Sequence, residues 1–280
     1  MAKDSKIEWT HHTFNPWWGC TKVSPGCKHC YAEAWARRTG RAIWGLKAER
    51  RQLSDAYWRQ PLLWNKDAEQ TRVRARVFCA SMADVFEDRR DLDSLRARLW
   101  QLIEQTPFLD WLLLTKRPQN MLRLAPWSKR WPANVWAGTT TENQRWAEKR
   151  IPQLLRVPAG IHFLSAEPLL GPLDLTPWLS RGIDWVIAGG ESGPHARPMN
   201  PEWARAIRDQ CRVAGTSFLF KQWGNWAPES ASGRATRELL ARDGTRIVVT
   251  NLGKKGSGRR LDGETWDEVP SRTGPAAAFA

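Results

Sequence analysis

The sequence alternates short apolar runs with amphipathic stretches, and this alternation restricts its fold more than any other feature. The stretches Leu92–Glu104, Gln144–Leu155 and Pro201–Val213 predict helices. The apolar runs predict buried strands at Arg76–Ser81, Trp111–Thr115, Asn134–Gly138, Ile161–Ser165, Asp184–Ala188 and Ser217–Phe220. Strands that alternate with helices are typical of βαβ units and of a parallel sheet.

A further strand around Glu8–Phe14 brings the predicted sheet to about seven strands, which suits an α/β fold of the TIM type. We therefore predict a partial or near-complete (βα) barrel over residues 1–226. After Asn225 the sequence becomes rich in Gly, Ser and basic residues. Residues 227–280 are predicted to form a small extension, hairpin-like or loosely ordered, with strands at Thr245–Thr250 and Gly263–Val269 and a frayed tail at Pro270–Ala280.

Polar or glycine-rich segments follow the predicted strands. The carboxyl ends of parallel barrel strands meet at one edge, where active sites of this architecture assemble. For any single side chain there, the alternative is a helix cap or a salt-bridge partner. The segment Gly189–Gly190 matches no phosphate-binding fingerprint and predicts a close backbone approach to a ligand. The side chains expected at this edge are Asp84, Lys116, Thr139, Glu167, Glu191 and Lys221.

Cys20, Cys27 and Cys30 form the pattern C-x6-C-x2-C directly after the first predicted strand. Three thiolates can hold three corners of a cubane [4Fe–4S] cluster, which leaves one iron open to a ligand that is not protein. The other two cysteines, Cys79 and Cys211, lie in apolar surroundings and are predicted to be buried thiols.

The same loop also admits a zinc site. Cys27 and Cys30 have the short spacing of paired zinc ligands. The complete set would be Cys20, Cys27, Cys30 and one of His29, His11 and His12. A disulfide is disfavoured because the five cysteines are an odd number and no secretory signal precedes them.

The formal net charge of +14 predicts a polyanionic partner such as nucleic acid. A basic surface beside the cysteine loop is predicted from Arg37, Arg38, Arg41, Arg50 and Arg51, with a solvated helix face as the alternative. No apolar run reaches the roughly 18 residues needed to cross a membrane. We expect no membrane partner and a cytoplasmic protein.

The residues around the cysteines resemble a known group of enzymes. The loop Asn15-Pro16-x-x-Gly19-Cys20 and the following Cys27-x-x-Cys30-Tyr31-Ala32 resemble radical S-adenosylmethionine (SAM) enzymes, particularly the branch that includes spore photoproduct lyase. The segments Ile7–Thr10 and Ala188–Gly193 are similar to a phage-associated radical SAM-like family long labelled as of unknown function. The resemblance runs from about Ile7 to Trp226. Most radical SAM enzymes have C-x3-C-x2-C, so the longer first gap here implies a different loop path.

The resemblance implies an enzyme that uses a [4Fe–4S] cluster and SAM. Cys20, Cys27 and Cys30 would ligate the cluster, SAM would chelate the open iron, and a 5′-deoxyadenosyl radical would abstract hydrogen from the substrate. An electron donor such as flavodoxin or ferredoxin would reduce the cluster. The candidates for SAM contacts, from their place in the motif or at a strand end, are His29, Tyr31, Ser81, Asp84, Lys116, Thr139, Glu167 and Glu191. Catalytic residues that touch the substrate stay unassigned.

Charge and resemblance together predict DNA as the substrate. An enzyme that acts on a base in a duplex has to extrude that base or accept single strands. The specific expectation is a modified thymine in phage DNA, for instance the rearrangement of an N-linked glycyl group to a C-linked one, in the host cytoplasm. Two alternatives stay open: a radical SAM enzyme for a peptide or small metabolite, and a non-catalytic, zinc-stapled nucleic-acid-binding protein.

Overall fold

A computed structural model of the protein describes residues 5–271. Of the tail predicted at Pro270–Ala280, residues 272–280 therefore lie outside the described part of the chain. The helices are α1 Tyr31–Arg38, α2 Asp55–Trp58, α3 Gln60–Thr71, α4 Asp93–Glu104, α5 Met121–Leu124, α6 Gln144–Leu154, α7 Thr176–Leu179, α8 Pro201–Ala214 and α9 Gly253–Ser257. Single 3₁₀ turns lie at Pro25–Cys27, Arg90–Leu92 and Pro118–Asn120.

Between residues 5 and 271, the strands fall into three sheets. Their bounds are β1 His12–Thr13, β2 Trp17–Trp18, β3 Arg51–Gln52, β4 Ala75–Cys79, β5 Leu109–Thr115, β6 Val135–Thr140, β7 Ile161–Ala166, β8 Trp185–Gly189, β9 Ser217–Gln222, β10 Trp226–Ala227, β11 Thr236–Leu240 and β12 Arg246–Asn251. Each of the six apolar runs predicted as buried strands overlaps an observed strand, while the first predicted strand is reduced to two residues.

The main sheet has seven strands in the order β1-β4-β5-β6-β7-β8-β9, and every neighbouring pair is parallel. It curls into a half-barrel, which makes the fold a partial α/β barrel. Apart from β2 and β3, strand order follows chain order, as expected when each strand returns through a helical crossover. The predicted parallel sheet is confirmed.

The two faces of the half-barrel bury different apolar side chains. Toward the outer helices, strand residues such as Val77, Leu113 and Val186 join one core with helix residues such as Leu99 and Ile151. The concave face carries a separate, largely aromatic cluster: Trp9, Phe78, Leu112, Trp136, Ile161, Phe163, Trp185, Ile187 and Leu219. Successive strand residues alternate between the two clusters, because side chains of a β-strand point to opposite faces with a period of two.

The ends of α8 illustrate how local sequence sets the helix bounds. Asn200 precedes the helix, and its side-chain oxygen accepts a 2.9 Å hydrogen bond from the Glu202 amide. Pro201 occupies the first turn, where its missing N–H costs nothing. The helix ends at Gly215, whose φ of +67° is a left-handed conformation that favours glycine.

A second sheet of three strands, in the order β10-β12-β11, follows the half-barrel. The strand predicted at Thr245–Thr250 is present as β12. The strand predicted at Gly263–Val269 is reduced to isolated bridges, one of which pairs Asp267 with Leu219 of β9. The backbone of Trp266 also accepts a 3.0 Å hydrogen bond from the Phe220 amide, so this segment covers the outer edge of the half-barrel.

None of the helices between residues 5 and 271 combines the length and the apolar character that a membrane crossing requires.

Candidate functional site

A cavity of about 650 Å³ opens at the carboxyl edge of the parallel sheet. Its volume lies in the range typical of small-molecule sites. The predicted site residues on its wall are Cys20, Cys27, Cys30, Tyr31, Ser81, Asp84, Lys116 and Glu167, and Lys221 also lines it. The structure therefore brings the cysteine loop and four strand ends onto one cavity.

Three predicted site residues are not on that wall. Thr139 is fully buried, and its hydroxyl donates a 2.9 Å hydrogen bond to the Thr115 carbonyl. Both carboxylate oxygens of Glu191 accept hydrogen bonds from Arg197. The ring of His29 lies 5.9 Å from that of His195.

Strand periodicity explains why Thr140 lines the cavity and Thr139 does not. Thr139 continues the phase of Val135 and Ala137, which face the outer helices. Thr140 continues the phase of Trp136, which faces the concave side. The sequence carried this signal, because the phase of the apolar residues can be extended to the end of the strand. The same reasoning finds Ser165, which lies two residues beyond the concave-facing Phe163.

Cys20 is held by several backbone contacts and one guanidinium group. The Gly19 amide donates to the Met82 carbonyl at 2.9 Å, and the Gly45 amide donates to the Cys20 carbonyl at 3.0 Å. Gly19 has φ +116°, and a Cβ there would lie 2.3 Å from a carbonyl oxygen, so the tight turn before Cys20 requires glycine. Nη1 of Arg117 lies 3.7 Å from the Cys20 sulfur.

Cys27 and Cys30 are placed by short helical elements. Cys27 ends a 3₁₀ turn, and its amide donates to the Ser24 carbonyl at 2.9 Å. Cys30 caps α1, where its carbonyl accepts from the Ala34 amide at 3.0 Å. All three cysteines of the loop are free and half-buried.

Asp84 and Arg117 form a buried ion pair behind Cys20, with 2.7 Å between Oδ2 and Nη1. Asp84 also accepts hydrogen bonds from Thr115 Oγ1 and from the amides of Phe86 and Lys116. Burial opposes ionisation of Asp84, but the Arg117 charge and these donors hold its pKa below the usual value. The carboxylate that was predicted to contact SAM is thus saturated by the protein's own donors.

Arg117 is the site residue that strand-end reasoning missed. Besides Asp84, it binds the Thr21 carbonyl through Nη2 at 2.8 Å. Burial raises the pKa of the Cys20 thiol to about 12; the Asp84 charge adds to this and Arg117 opposes it. Arg117 therefore favours the thiolate form at this sulfur and fixes the backbone next to it.

Two lysines near the ends of β5 and β9 line the cavity. Lys221 forms an ion pair of 2.8 Å with Glu167. Lys116 donates to Thr140 Oγ1 at 3.2 Å, a neutral partner that leaves its charge uncompensated by that contact. The apolar residues of the cavity lining include Ile7, Trp9 and Phe78.

Two of the three histidines considered as zinc ligands, His11 and His12, contact parts of the molecule outside the cysteine loop, whereas His29 lies within that loop. His11 is at the amino-terminal side of the sheet, where its Nδ1 accepts a 2.8 Å hydrogen bond from the Arg76 amide. His12 stacks on Trp64 with ring centroids 4.4 Å apart. Within residues 5–271, no group of three or more His, Cys, Asp or Glu side chains is arranged to hold a metal ion.

The remaining cysteines are buried as predicted. Cys79 and Cys211 have no exposed surface and belong to the core between the sheet and the outer helices. Neither lines the cavity.

One arginine of the predicted basic surface, Arg50, is buried. It binds Glu87 through two hydrogen bonds of 2.8 and 3.0 Å. Its remaining N–H groups bind carbonyls that include Ile43 and Ala48, so it fixes the long loop after α1. Arg51 covers the ring of Trp18 at 4.6 Å.

The glycine pair in the loop after β8 meets protein backbone. A Cβ on Gly190 would lie 1.9 Å from the carbonyl oxygen of Trp223, and a Cβ on Gly189 would lie 2.9 Å from Glu167 Oε1. A close approach is present, but among the described residues it is made to the loop after β9 and to the Glu167 side chain, and the predicted approach to a ligand stays a prediction. Gly189 thus leaves room for the Lys221–Glu167 pair at the cavity.

Comparison with known proteins identifies a matching family. Residues 4–270 match the sequence profile of a family described as Protein of unknown function (DUF5131). No curated protein and no solved structure matches the chain. The matched range includes the C-terminal sheet as well as the half-barrel. The chain belongs to the family described as Protein of unknown function (DUF5131).

Proposed function

We propose that the protein binds a [4Fe–4S] cluster through Cys20, Cys27 and Cys30 and uses it with SAM for radical chemistry on a base of DNA. The observation that carries this proposal is that the three free cysteines of one loop line the same cavity as four polar strand ends. These strand-end side chains are Asp84, Lys116, Glu167 and Lys221.

The loop would supply three ligands to such a cluster and leave one iron open. The loop supplies three thiols, and the two further cysteines of the chain are buried outside the cavity. A cubane held by three thiolates keeps one iron for a non-protein ligand. The Arg117 guanidinium, 3.7 Å from the Cys20 sulfur, would offset part of the negative charge of the ligands. A bound cluster and SAM together supply a carbon-centred radical that takes hydrogen from an unactivated C–H bond.

The protein's own residues would position ligands and limit side reactions. Lys116 and the Lys221–Glu167 pair offer a cation, a donor and an acceptor for the polar groups of SAM. Tyr31, whose hydroxyl donates to the Ser81 carbonyl at 2.8 Å, holds the start of α1 against the loop after β4. The apolar lining residues Ile7, Trp9 and Phe78 would limit the access of water to a bound ligand.

DNA is the proposed substrate because of the net charge of +14 and the resemblance of the loop to a DNA-lesion enzyme. The specific proposal is a modified thymine, with rearrangement of an N-linked glycyl group to a C-linked one as the example. Incubation of the reduced protein and SAM with DNA that carries the modified base, followed by mass spectrometry of the nucleosides, tests this. An unchanged nucleoside profile would count against this substrate.

The cluster is tested by anaerobic purification, iron and sulfide analysis, and EPR of the reduced protein with and without SAM. We expect about four irons per chain and a signal that changes when SAM is added. The Cys27→Ala variant should lose both the iron and the SAM-sensitive EPR signal. Cys211→Ala is the matched control, because Cys211 is buried away from the cavity, and it should retain both. Stoichiometric zinc with no EPR response would overturn the proposal and leave a metal-stapled binding protein.

A further inference from the structure

The cavity carries more cationic than anionic side chains. Its charged lining consists of Lys6, Lys22, Lys116, Arg117, Lys221 and Lys254 against Glu8, Asp84 and Glu167. Asp84 is bound by Arg117 and Glu167 by Lys221, at 2.7 and 2.8 Å. Lys22 pairs with Glu33 outside the cavity wall, at 2.6 Å. The lining therefore retains a surplus of lysines that favours an anionic ligand.

Lys254 differs from the other lysines of the cavity lining because it lies in the segment that follows the C-terminal sheet. It lies in α9, directly after β12. The amides of Leu252 and Gly253 donate to the Asn225 carbonyl at 3.0 and 3.2 Å, which fixes the start of α9 against the loop after β9. The Trp223 amide donates to the Gly258 carbonyl at 3.2 Å, which fixes the end. Both anchors belong to the loop that follows the cavity residue Gln222.

The placement of Lys254 is fixed while its charge is free to act on a ligand. Its side chain is exposed, and no ion pair with it occurs among the residues that the structure describes. Lys255, the next residue of the same short helix, is equally exposed but does not line the cavity. The backbone anchors thus present one of two neighbouring lysines to the cavity mouth.

The position at the mouth indicates which anion Lys254 would meet. SAM carries one carboxylate against an ammonium and a sulfonium group, so its net charge is positive. The thiolates of a cluster would be anionic, but Cys20 has its own cation in Arg117, 3.7 Å away. A base in the cavity leaves its flanking phosphodiester groups at the rim. Lysine is a point-charge donor suited to such a phosphate.

We propose that Lys254 binds a backbone phosphate of a DNA strand whose base enters the cavity, so that the C-terminal sheet forms part of the substrate site. This inference rests on the proposed function only in its choice of DNA as the substrate. A single contact of this kind contributes a fixed share to the salt dependence of binding, because each neutralised phosphate releases counterions.

The test is fluorescence anisotropy with a labelled single-stranded thymine oligonucleotide over a series of salt concentrations. Lys254→Ser should weaken binding several-fold at low salt and reduce the slope of log K against log salt by about 0.7, the value for one phosphate on a single strand. Lys255→Ser is the matched control and should change the slope by less than half as much. Thermal melting should be unchanged in both variants, since both side chains are exposed.

Thymidine 5′-monophosphate distinguishes a strand from a free nucleotide as the source of the phosphate. If Lys254 contacts a flanking phosphodiester, Lys254→Ser weakens the oligonucleotide and leaves binding of the monophosphate unchanged. An equal loss for both ligands, equal effects of the two lysine variants, or no binding of the oligonucleotide to the wild type would each overturn the inference.

The experiments distinguish a failure of the Lys254 inference from a failure of the proposed radical SAM function. A protein with a SAM-sensitive cluster but no Lys254 effect would keep the enzyme proposal and lose this inference. A protein without iron that shows the Lys254 effect would keep this inference and lose the enzyme proposal.

Discussion

At the scale of single residues, the site is organised by a buried ion pair. Asp84 was predicted as a contact to SAM, yet its two oxygens accept from Arg117, Thr115 and two backbone amides. Arg117 in turn reaches the Cys20 sulfur and the Thr21 carbonyl. Asp84 therefore acts on the cysteine loop through Arg117, as a positioning residue.

Asp84→Asn should be strongly destabilising. The substitution leaves the buried guanidinium of Arg117 without its countercharge, and breaking a buried pair in this way costs about 3–5 kcal/mol in the free energy of unfolding. Asp88→Asn is the control, because Asp88 and Arg123 form an exposed pair whose loss should cost less than about 1 kcal/mol. Urea unfolding measures both, and equal effects of the two substitutions would contradict the assignment.

The same pair predicts how stability depends on pH. The pKa of Asp84 is lower in the folded protein than the value of about 3.9 in an unfolded chain. Its contribution to stability is therefore fully present above that unfolded value and is lost as the pH falls through the folded value. The difference in the free energy of unfolding between wild type and Asp84→Asn should shrink below about pH 4. Urea unfolding over a pH series measures it, and a constant difference would contradict the lowered pKa of Asp84.

At the scale of elements, the site depends on how loops cross at the carboxyl edge of the sheet. The loop after β8 and the loop after β9 meet backbone to backbone: the Gly190 amide donates to the Gln222 carbonyl and the Asn225 amide to the Glu191 carbonyl, at 2.9 and 3.0 Å. Strand phase then selects which side chains at this edge face the cavity. Thr140 and Ser165 do so, while Thr139 faces the outer helices.

Gly190→Ala tests this crossing. The added methyl group would lie 1.9 Å from the Trp223 carbonyl oxygen, so the two loops have to separate, at an expected cost of about 1–3 kcal/mol in the free energy of unfolding. Gly160→Ala is the matched control, because its Cβ would meet nothing within 4 Å. Chemical denaturation measures both variants, and a Gly190→Ala protein as stable as the control would show that the crossing is not tight.

At the scale of the whole molecule, the segment that follows the C-terminal sheet packs against the half-barrel. Asp262 pairs with Arg205 and Arg208 of α8, at 2.8 and 2.6 Å. The segment at Trp266 and Asp267 covers the edge of β9. The predicted division between residues 226 and 227 falls inside β10, so it does not coincide with a gap between independent units.

A cut in the exposed segment between β10 and β11 should therefore not release the C-terminal sheet. With a site-specific protease sequence inserted near Gly233, cleavage should yield two pieces that co-elute in gel filtration and separate in denaturant. They should stay together because β12 pairs with β10 and the Trp223 amide binds the Gly258 carbonyl. A half-barrel piece that elutes alone under native conditions would contradict this arrangement.

Local sequence determined strands β4 to β9 and helices α4, α6 and α8, because periodicity, capping residues and apolar runs act over a few residues. The sequence also predicts that Thr140 faces the cavity, because it lies four residues after the concave-facing Trp136 in the same strand. Tertiary structure alone decided that Asp84 meets Arg117, that Gly190 meets Trp223 and that Lys254 reaches the cavity. Such contacts join residues far apart in the chain, and their partners are set by how the sheet curls and by which loops share its edge.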